Sequence, residues 1–269
     1  MNSCRGATIV PDMDCDKNRF RLTIAYDGRP FEGWQSQPGG NTIQDHIEKV
    51  TQKICETVST VHGSGRTDAG VSAEGQVAHF DAPSEWKMTA SDWMNALNAQ
   101  LPPTIRIIQS DSVAPDFHAR FNATGKIYRY RIFTGEVLPP LEYGLTWHRR
   151  KLDRDAFLEA IGIFEGTHHF RAFSANRHDG RDQTRDSERT IFQIAALPND
   201  LPDHFVIEIH GNGFLYKMVR FLVGTAAYLA TGKIDPDKVT ALLASPNPPE
   251  KAPYCAPVDG LSLREVCYH

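Results

Sequence analysis

The residues whose types and spacing could do chemistry are concentrated in Gly63-Ser64-Gly65-Arg66-Thr67-Asp68-Ala69-Gly70-Val71. Glycines this frequent imply tight backbone turns, or close approach of something to the main chain. A phosphate-cradling loop is excluded, because Val71-Ser72 stands where Lys-Ser/Thr is required. A dinucleotide-binding loop is excluded as well, since position 68 is Asp rather than Gly. What is left is one carboxylate on a glycine-flanked loop, two residues after an arginine. Taken alone, Asp68 reads two ways. It is a turn residue bonding nearby backbone N–H groups, or an acid held rigidly to serve as nucleophile or base.

Other side chains gain meaning only from their surroundings. Tyr128 lies in an alternating run, Lys126 to Phe133, and is equally a strand-core tyrosine or a face for stacking a base. Arg220 sits in a mostly apolar segment, Phe214 to Thr231, where an unpaired guanidinium is costly, so it needs an acid or a cleft. His168 and His169 are adjacent in a strand-like run and point to opposite faces, which removes a metal pair. His79 and His118 have no carboxylate or cysteine at ligand spacing and are assigned no site.

The elements that must position these residues follow from periodicity. Arg19 to Tyr26 alternates, with Phe20, Leu22, Ile24 and Tyr26 on one face. Thr42 caps a helix through Ile43, Ile47, Val50 and Ile54, and Ser91 a second one through Trp93, Met94 and Leu97, stopped at Pro102-Pro103. Strands are expected near 58–62, 76–81 and 104–113. The second part repeats the order. A strand over 126–133 precedes a helix capped by Asp153, strands over 190–197 and 204–210, a helix over 214–231 and a strand over 261–267. Each half therefore reads β-α-β-β-α-β, a ferredoxin-like unit. The expected class is α+β: two antiparallel sheets with helices on one face and a central cleft. Residues 1–18 form an extension, 19–115 an N-terminal half carrying the Asp68 loop, and 116–269 a C-terminal half.

Composition sets the outer limits. With 269 residues, 41% hydrophobic and 23% charged, the chain is an ordinary globular protein rather than collagenous, disordered or coiled-coil. The longest apolar candidate for a membrane span is interrupted by Lys217 and Arg220, and the first residues lack the apolar core of a signal peptide. Five scattered cysteines without C-x-x-C point to a reducing cytoplasm and to neither a zinc site nor a disulfide framework. A net charge of -4 argues against a bulk polyanion binder. Yet His118 to Arg131 carries Arg120, Lys126, Arg129 and Arg131 with no acid, and Arg149, Arg150, Lys151 and Arg154 follow. An acidic protein can still present one basic groove.

Several separate segments bear one resemblance. Gly65-Arg66-Thr67-Asp68-Ala69-Gly70-Val71 with Gly75 to Phe80 resembles the active-site signature of the TruA-type tRNA pseudouridine synthases. Phe117-His118-Ala119-Arg120 with Lys126 to Tyr130, Gly211 to Arg220, Gly260 to Leu263, and the opening Tyr26-Asp27-Gly28 match that family in order, over residues 19 to 267. The resemblance implies a duplicated α+β fold, a homodimer, no cofactor, no metal, and conversion of uridines in the anticodon stem-loop of tRNA to pseudouridine. It makes Asp68 the catalytic aspartate and Tyr128 the aromatic stacking on the target base. Arg220 becomes the partner of the aspartate, able to grip it through two parallel hydrogen bonds. Arg66 becomes an RNA-side contact and Leu261 or Leu263 an apolar wall, while the basic cluster itself offers Arg120, Lys126, Arg129, Arg149 and Arg150 to phosphates.

The chemistry suits those roles. Uridine isomerisation breaks the N1–C1′ bond, turns the base and rejoins it through C5, so a carboxylate must act on the nucleoside while an aromatic face retains the loosened ring. Flanking guanidinium groups are expected to favour the ionised carboxylate, and the target base must leave its stack. Two departures from the family pattern stand out, Ser72 after Gly-Val and Glu74, which puts a negative charge near the site. The Arg177 to Ser187 stretch is long for its position. Two other readings remain: a catalytically silent RNA-binding module, and a glycoside hydrolase, which needs a second acid that no motif supplies.

Overall fold

Alternation in the first strand decides which side of the sheet is buried. In the computed structural model, which describes residues 17–58, 60–177, 184, 186–199 and 201–269, β1 (Lys17–Tyr26) buries Phe20, Leu22, Ile24 and Tyr26 as expected. Its other face carries Arg19 and Arg21. These pair directly across the register with Asp81 of β3 (Ser72–Pro83) at 2.6 Å and Asp111 of β4 (Ile105–Val113) at 2.8 Å. Such cross-strand pairs contribute about 0.2–1 kcal/mol each, so they set register more than stability. The apolar face does the larger work: Phe20, Phe80 and Trp93 meet with ring centroids 4.9–6.0 Å apart.

The helices start where a side chain can satisfy their free N–H groups. α1 (Ile43–Ile54) opens with Thr42 and Asp45 in a reciprocal capping box. α2 (Ala90–Gln100) does the same with Thr89 and Asp92; Ser91, the expected cap, falls inside the helix because the acid three residues on selects Thr89. α3 (Arg154–Gly162) is capped by Asp153, as expected. α4 (Met218–Leu229) is shorter than its apolar run, because Lys217 takes a left-handed φ of 59° and stops the helix from reaching back to Phe214. α5 (Pro236–Ala244), with Asp235 as cap and Pro at its first position, has no counterpart in the sequence reading.

The remaining strands are β2 (His62–Gly63), β5 (Gly125–Phe133), β6 (Trp147–His148), β7 (Gly166–His169), β8 (Glu188–Leu197), β9 (His204–Gly211) and β10 (Leu261–Cys267). The class is α+β, as the sequence implies. The first unit has the order β4-β1-β3 with β2 on β3, and the second β10-β5-β9-β8. Both therefore place the fourth strand, the first, the third and the second in turn. The two expected sheets are continuous. β3 and β10 pair in parallel through Ser72↔Ser262 and Ala73↔Leu263, giving one ten-stranded sheet.

Two apolar cores lie along this sheet, and they interlock. Val71 of the first unit packs into the core of the second, whereas Leu263 and Val266 of β10 pack into the core of the first. Tyr128 touches both. No helix among the described residues is long and apolar enough to cross a membrane. The 1–18 extension lies outside the described residues up to position 16, as do 178–183 and 185 of the Arg177 to Ser187 stretch.

Candidate active site

The Asp68 loop runs from β2 to β3 and is fastened at both ends. Ser64 donates its N–H to the Val77 carbonyl at 2.7 Å and its hydroxyl to Gln76 Oε1 at 2.7 Å, and Gln76 Nε2 donates back to the Gly65 carbonyl at 3.1 Å. Further along, the loop and the 28–34 turn are joined in both directions: Trp34 donates its N–H to the Thr67 carbonyl, and Gly70 donates its N–H to the Phe31 carbonyl. The Thr67 hydroxyl shares a 2.8 Å hydrogen bond with buried Tyr26. Two glycines make this packing possible. A Cβ on Gly28 would lie 2.0 Å from the Val71 carbonyl oxygen, and one on Gly33 would lie 2.7 Å from that of Thr67.

The carboxylate of Asp68 is left out of all this. It makes no hydrogen bond to backbone among the described residues, so the turn-capping reading loses its physical basis. Instead Oδ2 faces Arg220 Nη1 at 3.7 Å, with the two side chains 18% and 15% exposed. At that distance the pair is an ion pair and not the expected two-bond fork, and Arg220 Nε is donated instead to the Ala256 carbonyl at 2.7 Å. That bond fixes the guanidinium in place before any carboxylate is considered.

Burial and charge oppose each other at Asp68. Burial raises its pKa above the ordinary carboxylate value, and Arg220, Lys217 and Arg177 pull it down without cancelling the rise. The guanidinium groups do favour the ionised form, as expected, but desolvation, which the sequence does not reveal, is the larger effect. Tyr128 is held well above the usual tyrosine range, first by burial and then by the Asp68 charge. Its ring meets Phe214 edge-on, with centroids 5.0 Å apart and planes at 80°. Its hydroxyl has no hydrogen-bond partner among the described residues, which leaves the ring as its contribution. Lys126 donates Nζ to the Ser64 carbonyl at 2.9 Å, and burial lowers its pKa to about 8.

The other expected site residues divide. Asp68, Tyr128, Arg220, Arg66, Arg120, Lys126 and Leu261 all line one cleft. Arg66 is exposed at its mouth, held by Gln35 Oε1 at 3.2 Å. Leu263 does not line it; at 1% exposure it lies in the first core, opposite Tyr128 across the β5–β10 register. The basic run splits by strand face. Lys126 and Tyr128 point to the cleft, while Arg129 and Arg131 point the other way and pair with Glu74 at 2.9 and 3.1 Å, Arg129 also with Glu208. Glu74 consequently adds no charge to the site; Arg264 and the Ser262 hydroxyl also hold it on that far face. Ser72 is used in the fold, accepting the Gly28 N–H at 3.0 Å. Arg149 and Arg150 do not line the cleft; Arg150 pairs with Glu136 at 3.1 Å.

The sequence reading missed Lys217, Phe214 and Arg177 as cleft residues. The usable signal was Gly211-Asn212-Gly213, which marks a loop rather than a helix start and so turns Phe214 and Lys217 toward the cleft. The cleft, about 1560 Å³, exceeds the range of roughly 300–1,000 Å³ typical of small-molecule pockets. Its wall combines one desolvated carboxylate, an aromatic face and several cations, the equipment for acting on one unit of a long polyanion. No group of three or more His, Cys, Asp or Glu among the described residues is placed to hold a metal.

Comparison with known proteins agrees in one direction. A family model described as tRNA pseudouridine synthase matches residues 22–122 and 160–269. The tRNA pseudouridine synthase A of Akkermansia muciniphila is 47% identical over 253 residues, covering 93% of this chain and 95% of that protein. That of Solidesulfovibrio magneticus is 40% identical over 263 residues, covering 93% and 91%. The tRNA pseudouridine synthase A 1 of Bacillus cereus is 39% identical over 257 residues, covering 94% and 99%.

Proposed function

We propose that this chain, which belongs to the tRNA pseudouridine synthase family, isomerises uridines in the anticodon stem-loop of tRNA, with Asp68, Tyr128 and Arg220 as its working residues. The reaction exchanges the N1–C1′ bond for a C5–C1′ bond; N1 gains a proton and C5 loses one. Asp68 supplies the carboxylate that attacks or deprotonates the nucleoside. Tyr128 stacks on the loosened base, and Arg220 orients and partly neutralises the carboxylate. Arg66, Arg120 and Lys126 contact RNA, and Leu261 walls the base.

The observation that carries the reading is the convergence of a buried, uncapped carboxylate with Tyr128 and Arg220 in one large open cleft lined by several cations. A silent RNA binder has no use for a desolvated carboxylate facing phosphates. The protein works as a homodimer in a reducing cytoplasm. The described cysteines Cys55, Cys255 and Cys267 are free thiols, and the 137–143 loop exposes Val137, Leu141 and Tyr143 as apolar surface for a second copy.

The test is to incubate purified protein with an unmodified tRNA transcript and map pseudouridine along it. Pseudouridine in the anticodon stem-loop is expected. Modification elsewhere would keep the isomerase and correct the arm, and no modification by folded protein would overturn the reading. Sedimentation of the same sample gives the oligomeric state, and a monomer at working concentration would remove the homodimer.

A further inference from the structure

A single exposed phenylalanine is ordinary on a protein surface. Phe121, 75% exposed, is not ordinary in how it is presented. It stands on a turn whose every backbone N–H from His118 to Asn122 is taken. Asn122 Oδ1 accepts from His118 at 2.5 Å, His79 Nδ1 from Ala119 at 3.1 Å, His118 Nδ1 from Arg120 at 3.1 Å and from Phe121 at 3.4 Å, and the His118 carbonyl from Asn122 at 3.0 Å. Tyr268 adds a 2.6 Å hydrogen bond to the Ala119 carbonyl, and Ala119 is fully buried. Behind the exposed ring lies a column of others. His118 is 4.2 Å from Phe121 between centroids, His79 is 4.7 Å from His118, and His62 is 5.0 Å from His79. Burial lowers the His79 pKa to about 4, so that imidazole stays neutral and keeps its acceptor nitrogen. The aromatic tip is therefore rigid, and little ordering entropy is lost when something stacks on it.

Its surroundings select the occupant. The Arg120 guanidinium lies 5.8 Å from the Phe121 ring centroid, and the turn lines the same cleft as Asp68 and Tyr128. Arg120 makes no ion pair among the described residues. A flat apolar face beside a cation, on the wall of a cleft read as an RNA site, suits an unpaired base and its phosphate better than an extended protein surface. We infer that the His118–Asn122 turn is a second base-stacking station: Phe121, backed by His118 and flanked by Arg120, holds one unpaired base of the RNA substrate other than the uridine that reaches Asp68. The inference rests on the tRNA reading above and adds a residue that fixes how the RNA strand is laid into the cleft.

The experiment compares Phe121→Ala, Phe121→Leu and Phe121→Trp with the wild type, measuring affinity for an unmodified tRNA transcript. It also follows the fluorescence of anticodon stem-loop RNAs carrying one 2-aminopurine beside the target uridine. Ala and Leu should bind about 5- to 150-fold more weakly and lose the quenching of one probe position, whereas Trp should retain both. Unchanged melting temperatures exclude a folding defect at this exposed position. Wild-type affinity in the Ala variant, or Leu performing as well as Trp, overturns the stacking role. So does a change of oligomeric state with tRNA affinity intact, which would assign the ring to a second copy. The two readings fail separately. Absence of pseudouridine in tRNA treated with wild-type protein removes the isomerase, while pseudouridine formation with no Phe121 effect on affinity removes only the station.

Discussion

Arg220 comes nearest to Asp68 through Nη1, 3.7 Å from Oδ2, while its Nε is donated to the Ala256 carbonyl at 2.7 Å. One planar group thus spans a backbone anchor and a carboxylate, a division an ammonium cannot reproduce. Arg220→Lys should keep the charge and lose the geometry. Turnover is expected to fall on the order of 10- to 100-fold, the effect of losing the charge-assisted Nε–Ala256 hydrogen bond of about 1.5–3 kcal/mol and with it the placement of the guanidinium beside Asp68. The tRNA affinity should change little. Wild-type turnover in the Lys variant would reduce Arg220 to a general positive charge.

Asp68→Asn separates chemistry from stability. Pseudouridine formation should drop below detection, since the amide is neither nucleophile nor base, while tRNA still binds. The folded pKa of Asp68 is raised by burial, so its stabilising contribution is complete below the unfolded value of about 3.9 and lost as pH rises through the folded one. The Asn variant, permanently neutral, should therefore melt higher than the wild type at neutral pH, and the difference should shrink in acid. The acid limb of wild-type turnover should correspondingly lie above the usual carboxylate range. Melting curves and a pH–rate profile check both signs; a variant that melts lower at neutral pH contradicts the burial argument.

Tyr128 tests whether the ring or the hydroxyl matters. Because the hydroxyl has no partner among the described residues and burial holds it protonated, Tyr128→Phe should stay close to normal. Tyr128→Leu removes the stacking face at a cost of about 1–3 kcal/mol. Single-turnover rates on tRNA distinguish them. A Phe variant as poor as Leu would place a proton on the hydroxyl's path.

Salt dependence should follow the strand face rather than the sequence run. Arg66→Ala or Arg120→Ala, both lining the cleft, should each lower the log–log salt slope of tRNA binding by roughly 0.7–0.9. Arg129→Ala should leave that slope alone and destabilise the fold, since it strips Glu74 and Glu208 of a partner. A slope change with Arg129 would mean that RNA reaches the far face.

What the sequence could show depended on how local the cause was. The alternation in β1, the Thr42 and Asp153 caps and the glycine-flanked Asp68 are all set by residues within a few positions of one another. The Ser91 cap failed by a choice between two hydroxyls that Asp92 decides. The start of α4 failed because an apolar run conceals a left-handed residue. The site was legible as residue types in motifs. Its geometry was not, because adjacent charges in β5 divide between two faces, and because Nε of Arg220 is drawn away by a carbonyl that no motif identifies. The single sheet was invisible for a related reason: the pairing of β3 with β10 rests on two residue pairs, Ser72 with Ser262 and Ala73 with Leu263, which carry no periodic signal.

That short parallel seam also has a temporal meaning. Leu263 is opposite Tyr128 and beside Ala73, partners from distant parts of the chain. Pairings of such separation repay their loop-closure entropy only after the nearer hairpins and helices exist. The cleft takes one wall from each side of the seam, so in a refolding experiment far-ultraviolet circular dichroism should recover before tRNA binding does. Until β10 seats, nothing brings Tyr128 of the second unit up to Asp68 of the first, so pseudouridine formation should be the last property a refolding sample recovers.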